Sequence, residues 1–222
     1  MTKSMTNAKK TATLAMLAAL AYVVMLVGRV PLVLWLKYDP KDVIIAISGF
    51  LFGPLSALSV SVVVSFVEMI SASDTGIIGF VMNVLSTCTF VCPAAWLYHR
   101  KRSIHQAILG LLVGALLMTL AMVLWNYLIT PLYMDQPRAD VAAMLIPVFV
   151  PFNLLKAGLN TALTLLLYKP VNAALRRTGL LPPVLEQRPA AGHRRISVGV
   201  TLLALMLFAA CVLLALAYKG VI

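Results

Sequence analysis

Apolar blocks of up to about twenty-five residues, separated by short basic or turn-forming segments, constrain this chain more than any other feature. A helix rises about 1.5 Å per residue, so crossing a hydrocarbon core of ~30 Å takes roughly 20 predominantly apolar residues. The blocks cover 12–27, 43–52, 55–70, 77–98, 104–129 and 144–168, and a last clean one covers 198–218. This reads as six spans plus a seventh, with the second block short enough that it forms only part of a crossing. Composition agrees: 62% of the residues are hydrophobic and 11% charged, against ~45–50% and ~25% in soluble domains. The expected fold class is all-α integral membrane.

Punctuation between the blocks is strong. Gly28-Arg29-Val30-Pro31 closes the first, and 32–41 reads as a structured loop. Gly53-Pro54 is a breaker pair, and Ser71 to Gly76 forms a polar turn. Thr130-Pro131 is expected to end the fifth block, with 135–140 a polar loop. Pro147 and Pro151 place the start of the sixth helix near Phe149.

The formal charge of +11 is concentrated between the apolar blocks, which is a topology signal rather than a nucleic-acid-binding stripe. A cytoplasmic N-terminus puts Lys3, Lys9, Lys10, Arg100-Lys101-Arg102, Lys169, Arg176, Arg177, Arg188, Arg194 and Arg195 on one side. Arg29, Lys37, Lys41, Arg138 and Lys219 fall on the other. The expected division is a six-span membrane domain over 1–170, a basic cytoplasmic linker over 171–196 and an additional transmembrane helix over 197–222.

Enzyme signatures are absent from the sequence. It contains neither G-x-x-x-x-G-K-[ST] nor H-E-x-x-H, and no clustered Asp motif for a metal-bound diphosphate. Cys88, Cys92 and Cys211 lack the partners of a zinc site, and His99, His105 and His193 sit beside basic segments. No metal and no cofactor is expected, and binding or transport fits better than catalysis.

The informative residues are therefore polar ones at membrane depth, where an unpaired ionisable group is costly. Asn153, Lys156 and Asn160 are spaced i, i+3, i+7 and share a helix face. Lys156 either faces a cavity or partner or snorkels to the surface. Asn126 lies near the end of the fifth block, as a ligand-facing amide or as one that satisfies backbone carbonyls. Glu68 is open between pairing with a cation, facing water and lying at the interface, and Asn83 reads as interhelical glue. On the first block Ala15 and Ala19, widened by Ala12 and Ala18, form a small-residue face on which another membrane helix could dock.

An ordered set of short stretches then points to a family. Leu36-Lys-Tyr-Asp-Pro-Lys-Asp42 is followed by Ser48-Gly-Phe-Leu-Phe-Gly-Pro54, Ser73-Asp-Thr-Gly76, Asn83 and Thr89-Phe-Val-Cys-Pro93. Asn126-Tyr127, Pro131-Leu-Tyr-Met134 and Phe152-Asn-Leu-Leu-Lys156 complete it. Over about residues 10–170 the chain resembles the riboflavin-specific substrate-binding S components of energy-coupling-factor (ECF) transporters. The resemblance implies a six-helix bundle that binds riboflavin with high affinity near the extracellular face. It implies partnership with a membrane coupling subunit and two ATPase subunits. It assigns Asn126, Asn153 and Lys156 to flavin contact, Tyr38 and Asp39 to a covering loop, and Ala15 and Ala19 to coupling-subunit docking. The C-terminal helix departs from that pattern, and another vitamin on the same scaffold is the alternative.

Overall fold

Residues 41–52 carry an almost unbroken apolar run, and a helix apolar on every side must be buried. In the computed structural model, which describes residues 6–33, 36–181 and 191–218, this segment is the twelve-residue helix α2 (Lys41–Phe52). Every residue from Lys41 to Phe50 is buried, beneath α1 (Asn7–Gly28), α3 (Pro54–Ser71), α4 (Gly76–Lys101) and α7 (Val150–Arg177). At ~18 Å, α2 spans only part of a bilayer, as its short apolar block implied.

The missing length above α2 is filled by an antiparallel pair, β1 (Val30–Val33) and β2 (Leu36–Tyr38), in register Val30 to Tyr38. The expected structured loop is thus a hairpin that turns straight into α2 through Pro40. At the other end of α2, Gly53 adopts φ 99°, a left-handed conformation that favours glycine. Pro54 then opens α3 at a position where its lack of an N–H does no harm.

Among the described residues, six helical segments are long and apolar enough to cross a membrane: α1, α3, α4, α5 (Ile104–Met134), the run from Arg138 to Arg177, and Val198–Ala217 within α8 (Ala191–Tyr218). The protein is therefore an all-helical, multi-pass membrane protein. Its outer surface is apolar in keeping with that: Val27, Leu55, Ile70, Leu116 and Leu120 are all exposed. Arg100 lies over the Trp96 ring at 3.9 Å and Arg138 over Tyr127 at 5.6 Å. Aromatic side chains at both ends of the bundle are a mark of membrane–water boundaries.

Several boundaries differ from the sequence reading. Helix α5 does not stop at Thr130-Pro131 but continues to Met134, where Asp135 adopts a left-handed φ of 53°. Pro131 falls in the last turn of the helix, where its missing hydrogen bond disturbs little. The sixth span also begins earlier than expected. It starts as α6 (Arg138–Met144), widens into a π-helical turn at Leu145–Phe149 and becomes regular at Val150. Pro147 and Pro151 remove backbone donors there, and the wider turn accommodates their loss. Helix α7 extends to Arg177, into the stretch read as linker. Lys3, Arg188 and Lys219 lie outside the described residues, as do 182–190 and the side chains of His193, Arg194 and Arg195.

The closest helix pair is α4 and α5. A Cβ at Gly114 would lie 2.1 Å from the carbonyl oxygen of Phe90, and one at Gly110 would lie 2.8 Å from Cα of Ala94. Gly110-Leu-Leu-Val-Gly114 is a GxxxG face that lets the two backbones touch. Gly114→Ala is expected to cost about 1–3 kcal/mol through overpacking, read as a lower unfolding temperature in detergent. Gly199→Ala, which meets open space, is expected to leave that temperature unchanged.

Candidate binding site

The hairpin and the N-terminus of α2 bring charged residues to a depth where none can remain unpaired. Arg29, just beyond α1, grips Asp39 with a fork: Nε donates to Oδ1 at 2.6 Å and Nη2 to Oδ2 at 3.3 Å. The same guanidinium donates to Glu68 of α3. Glu68 also accepts from Lys41, whose ammonium lies 3.8 Å from Asp39. On the far side of α2, Lys156 of α7 sits 3.2 Å from Asp42 and donates to Ser86 at 3.3 Å. Asp42 accepts two further bonds, from the Thr87 hydroxyl at 2.7 Å and the Asn160 amide at 3.2 Å. Tyr38 returns the chain of bonds to the hairpin by donating to Asn160 Oδ1 at 2.9 Å.

Three cations thus meet three carboxylates. Burial works against the charged form of Arg29, but Asp39 and Glu68 outweigh it and raise its pKa. Burial, reinforced by Asp42 and Asp39, pushes the Tyr38 phenol well above its ordinary range. It therefore remains a hydrogen-bond donor at any physiological pH.

Beside this network lies a cavity of about 400 Å³, within the ~300–1,000 Å³ usual for small-molecule sites. Asp39, Asn126, Asn153 and Lys156 all line it. Asn126 gives one amide N–H to the Met122 carbonyl at 2.7 Å and accepts from Thr130 at 2.9 Å. Asn153 gives one to the Phe149 carbonyl, in the π-helical turn, at 2.7 Å. Each amide retains a second N–H and carbonyl lone pairs. The remaining wall is largely flat or pliable: Phe149, Phe152 and Tyr133 with Met82, Met122 and Met134. Around the rim, Lys37 pairs with Asp74 at 3.5 Å.

The other sequence-derived residues divide between the cavity and the rest of the bundle. Tyr38 packs with Leu32, Val33 and Phe152 outside the cavity lining. Asn83, read as interhelical glue, lines the cavity instead. Ala15 and Ala19, together with Ala12, are exposed on α1 and do not line the cavity. Ala18, grouped with them in the sequence, is buried and faces the core, because a helical step of about 100° per residue carries it off that face.

Comparison with known proteins gives this architecture a family. The profile of the family described as "ECF transporter, substrate-specific component" matches residues 9–168. The chain belongs to that family. It is an S component, a transport subunit and not an enzyme, and membership implies coupling to an ECF energising module. Among its relatives, the riboflavin transporter FmnP of Bacillus subtilis is 30% identical, over 72% of this chain and 90% of the relative. The riboflavin transporter RibU of Streptococcus thermophilus is 28% identical, over 77% of this chain and 86% of the relative. RibU of Staphylococcus aureus is 29% identical, over 78% and 96%. A solved structure described as the S component of a bacterial ECF transporter superposes with a TM-score of 0.66 at 26% identity. It covers 78% of this chain and all of the solved one.

What the sequence reading of this S component missed is the ionic network. Lys41 was placed in an outer loop and is fully buried; Glu68 was left open among three environments and pairs with two cations. Glu68→Gln is expected to destabilise the protein by about 3–5 kcal/mol, the cost of leaving a buried cation short of its partner. Asp74→Asn, at an exposed pair, is expected to cost under about 1 kcal/mol. Lys41→Met combined with Glu68→Gln removes one charge of each sign and is expected to cost less than Glu68→Gln alone. Unfolding in detergent measures all three.

Proposed function

We propose that this S component captures riboflavin in the cavity beneath the hairpin and hands it to a membrane coupling subunit driven by two ATPase subunits. The observation that carries the reading is the composition of the cavity wall. Amides with unused hydrogen-bonding capacity share the wall with flat aromatic and thioether side chains, in a setting whose formal charges cancel. A neutral tricyclic ring with a polyol tail needs that combination: apolar faces for the ring and a few placed polar groups for its edge and for the hydroxyls. Asn126, Asn153 and Lys156 are the flavin-contacting residues in this reading, with Asp39 at the hairpin edge. Tyr38 supports the hairpin from behind. The names of the three relatives, all riboflavin transporters, support the same substrate.

Orientation follows from charge. The bundle end carrying Lys9, Lys10, Arg100, Lys101, Arg102, Arg176 and Arg177 is the cytoplasmic one by the positive-inside rule. The hairpin and cavity then face outward, where substrate arrives. The exposed Ala12, Ala15 and Ala19 stripe on α1 lets a coupling-subunit helix approach closely without touching the cavity.

Two experiments test these assignments. Asn126→Ala and Asn153→Ala are each expected to weaken riboflavin binding by about tenfold or more, equivalent to about 1.4 kcal/mol, in fluorescence-quenching titrations. Riboflavin 5′-phosphate is expected to bind at least about tenfold more weakly than riboflavin, because every cation near the cavity already has a carboxylate. Parent-like binding by both Asn variants contradicts the site. Ala15→Trp and Ala19→Trp are expected to retain binding by the isolated subunit and to lose uptake in cells. Normal uptake removes the docking assignment.

A further inference from the structure

Helix α8 lies beyond residues 9–168, the stretch matched by the family profile, and its position in the bundle is specific. It packs along α7 so tightly that a Cβ at Gly158 would lie 2.7 Å from Cys211 Sγ. One turn further on, Ala215 is buried in the same apolar cluster as Leu32, Val33 and Tyr38 of the hairpin and Phe152 and Leu155 of α7. Phe208 and Val212 pack against that cluster, and α8 also contacts β1 directly. The face of α8 that carries Met206 and Leu213 is exposed toward lipid.

The hairpin is therefore held from two sides. Charge holds its inner edge, through Arg29, Asp39 and Glu68, and apolar contact with α8 holds its outer edge. A two-stranded hairpin has little stability of its own, so its opening depends on what it packs against. We propose that α8 is a clamp on the hairpin: by packing on Leu32, Val33 and Tyr38 it sets how often the cavity opens and hence how long the bound molecule stays. The proposal rests on the hairpin being the cover of a riboflavin site, and Phe208, Val212 and Ala215 are its positioning residues.

Gly158 allows α8 to be displaced without altering any residue of the cavity or hairpin. In full-length protein, Gly158→Ala is expected to push α8 outward through Cys211 and to raise the riboflavin dissociation rate severalfold, with a smaller change in the association rate. Gly158→Ala combined with Cys211→Ala removes the collision and is expected to restore the parent rate. Phe208→Ala combined with Val212→Ala, which trims the contact from the α8 side, is expected to accelerate dissociation as Gly158→Ala does. Met206→Ala, on the lipid face, is the control expected to change nothing.

Hydrogen exchange on ligand-free protein provides a readout that needs no substrate. Backbone amides of Val30, Leu32, Val33, Leu36, Lys37 and Tyr38 are expected to exchange faster in Gly158→Ala and in the Phe208/Val212 variant, and to return to the parent rate in the Gly158/Cys211 double variant. Parent-like hairpin exchange and dissociation in both α8-loosening variants overturn the clamp. A parent protein that binds no riboflavin contradicts the functional reading instead, and leaves the exchange comparison to decide the clamp on its own.

Discussion

Six charged side chains enclosed in one membrane bundle must compensate one another. Arg29, Lys41 and Lys156 are matched by Asp39, Asp42 and Glu68, and the six are drawn from separate parts of the chain. Glu68 comes from the last turn of α3, Lys156 from near the start of α7, Arg29 and Asp39 from the stretch between α1 and α2, and Lys41 and Asp42 from the first turn of α2. Removing such groups from water costs several kcal/mol per ion, so the arrangement is tolerable only when all six are in place. Burial of the N-terminus of α2 therefore depends on α3 and α7 docking correctly. Apolar packing alone would not impose that requirement, because lipid solvates apolar helices as well as other helices do.

The network also defines the kind of space it borders. Its cations are spent on its own carboxylates, so the cavity beside it has polar edges without net charge. Asn126 and Asn153 add directional groups, each anchored to the carbonyl four residues earlier and thereby held in orientation. The π-helical turn before α7 contributes by placing the Phe149 carbonyl under Asn153, and such turns are frequent at functional sites. Rigid helices thus carry the groups proposed to read the ligand, while the hairpin, the least self-sufficient element, contributes part of the cavity wall through Leu36 and Lys37.

The fold was largely legible from apolar block length and turn residues, since both reflect requirements that lipid imposes on any chain. The short block at 43–52 was legible as an incomplete crossing from its length, and the twelve-residue α2 agrees. The end of α5 was missed because proline was read as a terminator, whereas in the last turn of a membrane helix it is easily accommodated. Asn153 and Lys156 were visible because polar residues in an apolar run stand out. Their pairing was not visible: Asp42 lies 114 positions from Lys156, and nothing local to either residue identifies the other. The Gly110–Gly114 face was present in the sequence and passed over in favour of the small residues of α1. The side of α8 facing the hairpin had no signal, since its sequence is apolar on all sides.

The most direct test of the central claim is a titration of the purified, detergent-solubilised protein with riboflavin, followed by quenching of flavin fluorescence, with thiamine and biotin as competitors. The account predicts saturable one-to-one quenching that neither competitor reverses. A folded, monodisperse sample that fails to quench, or that yields its riboflavin to thiamine or biotin, would contradict it.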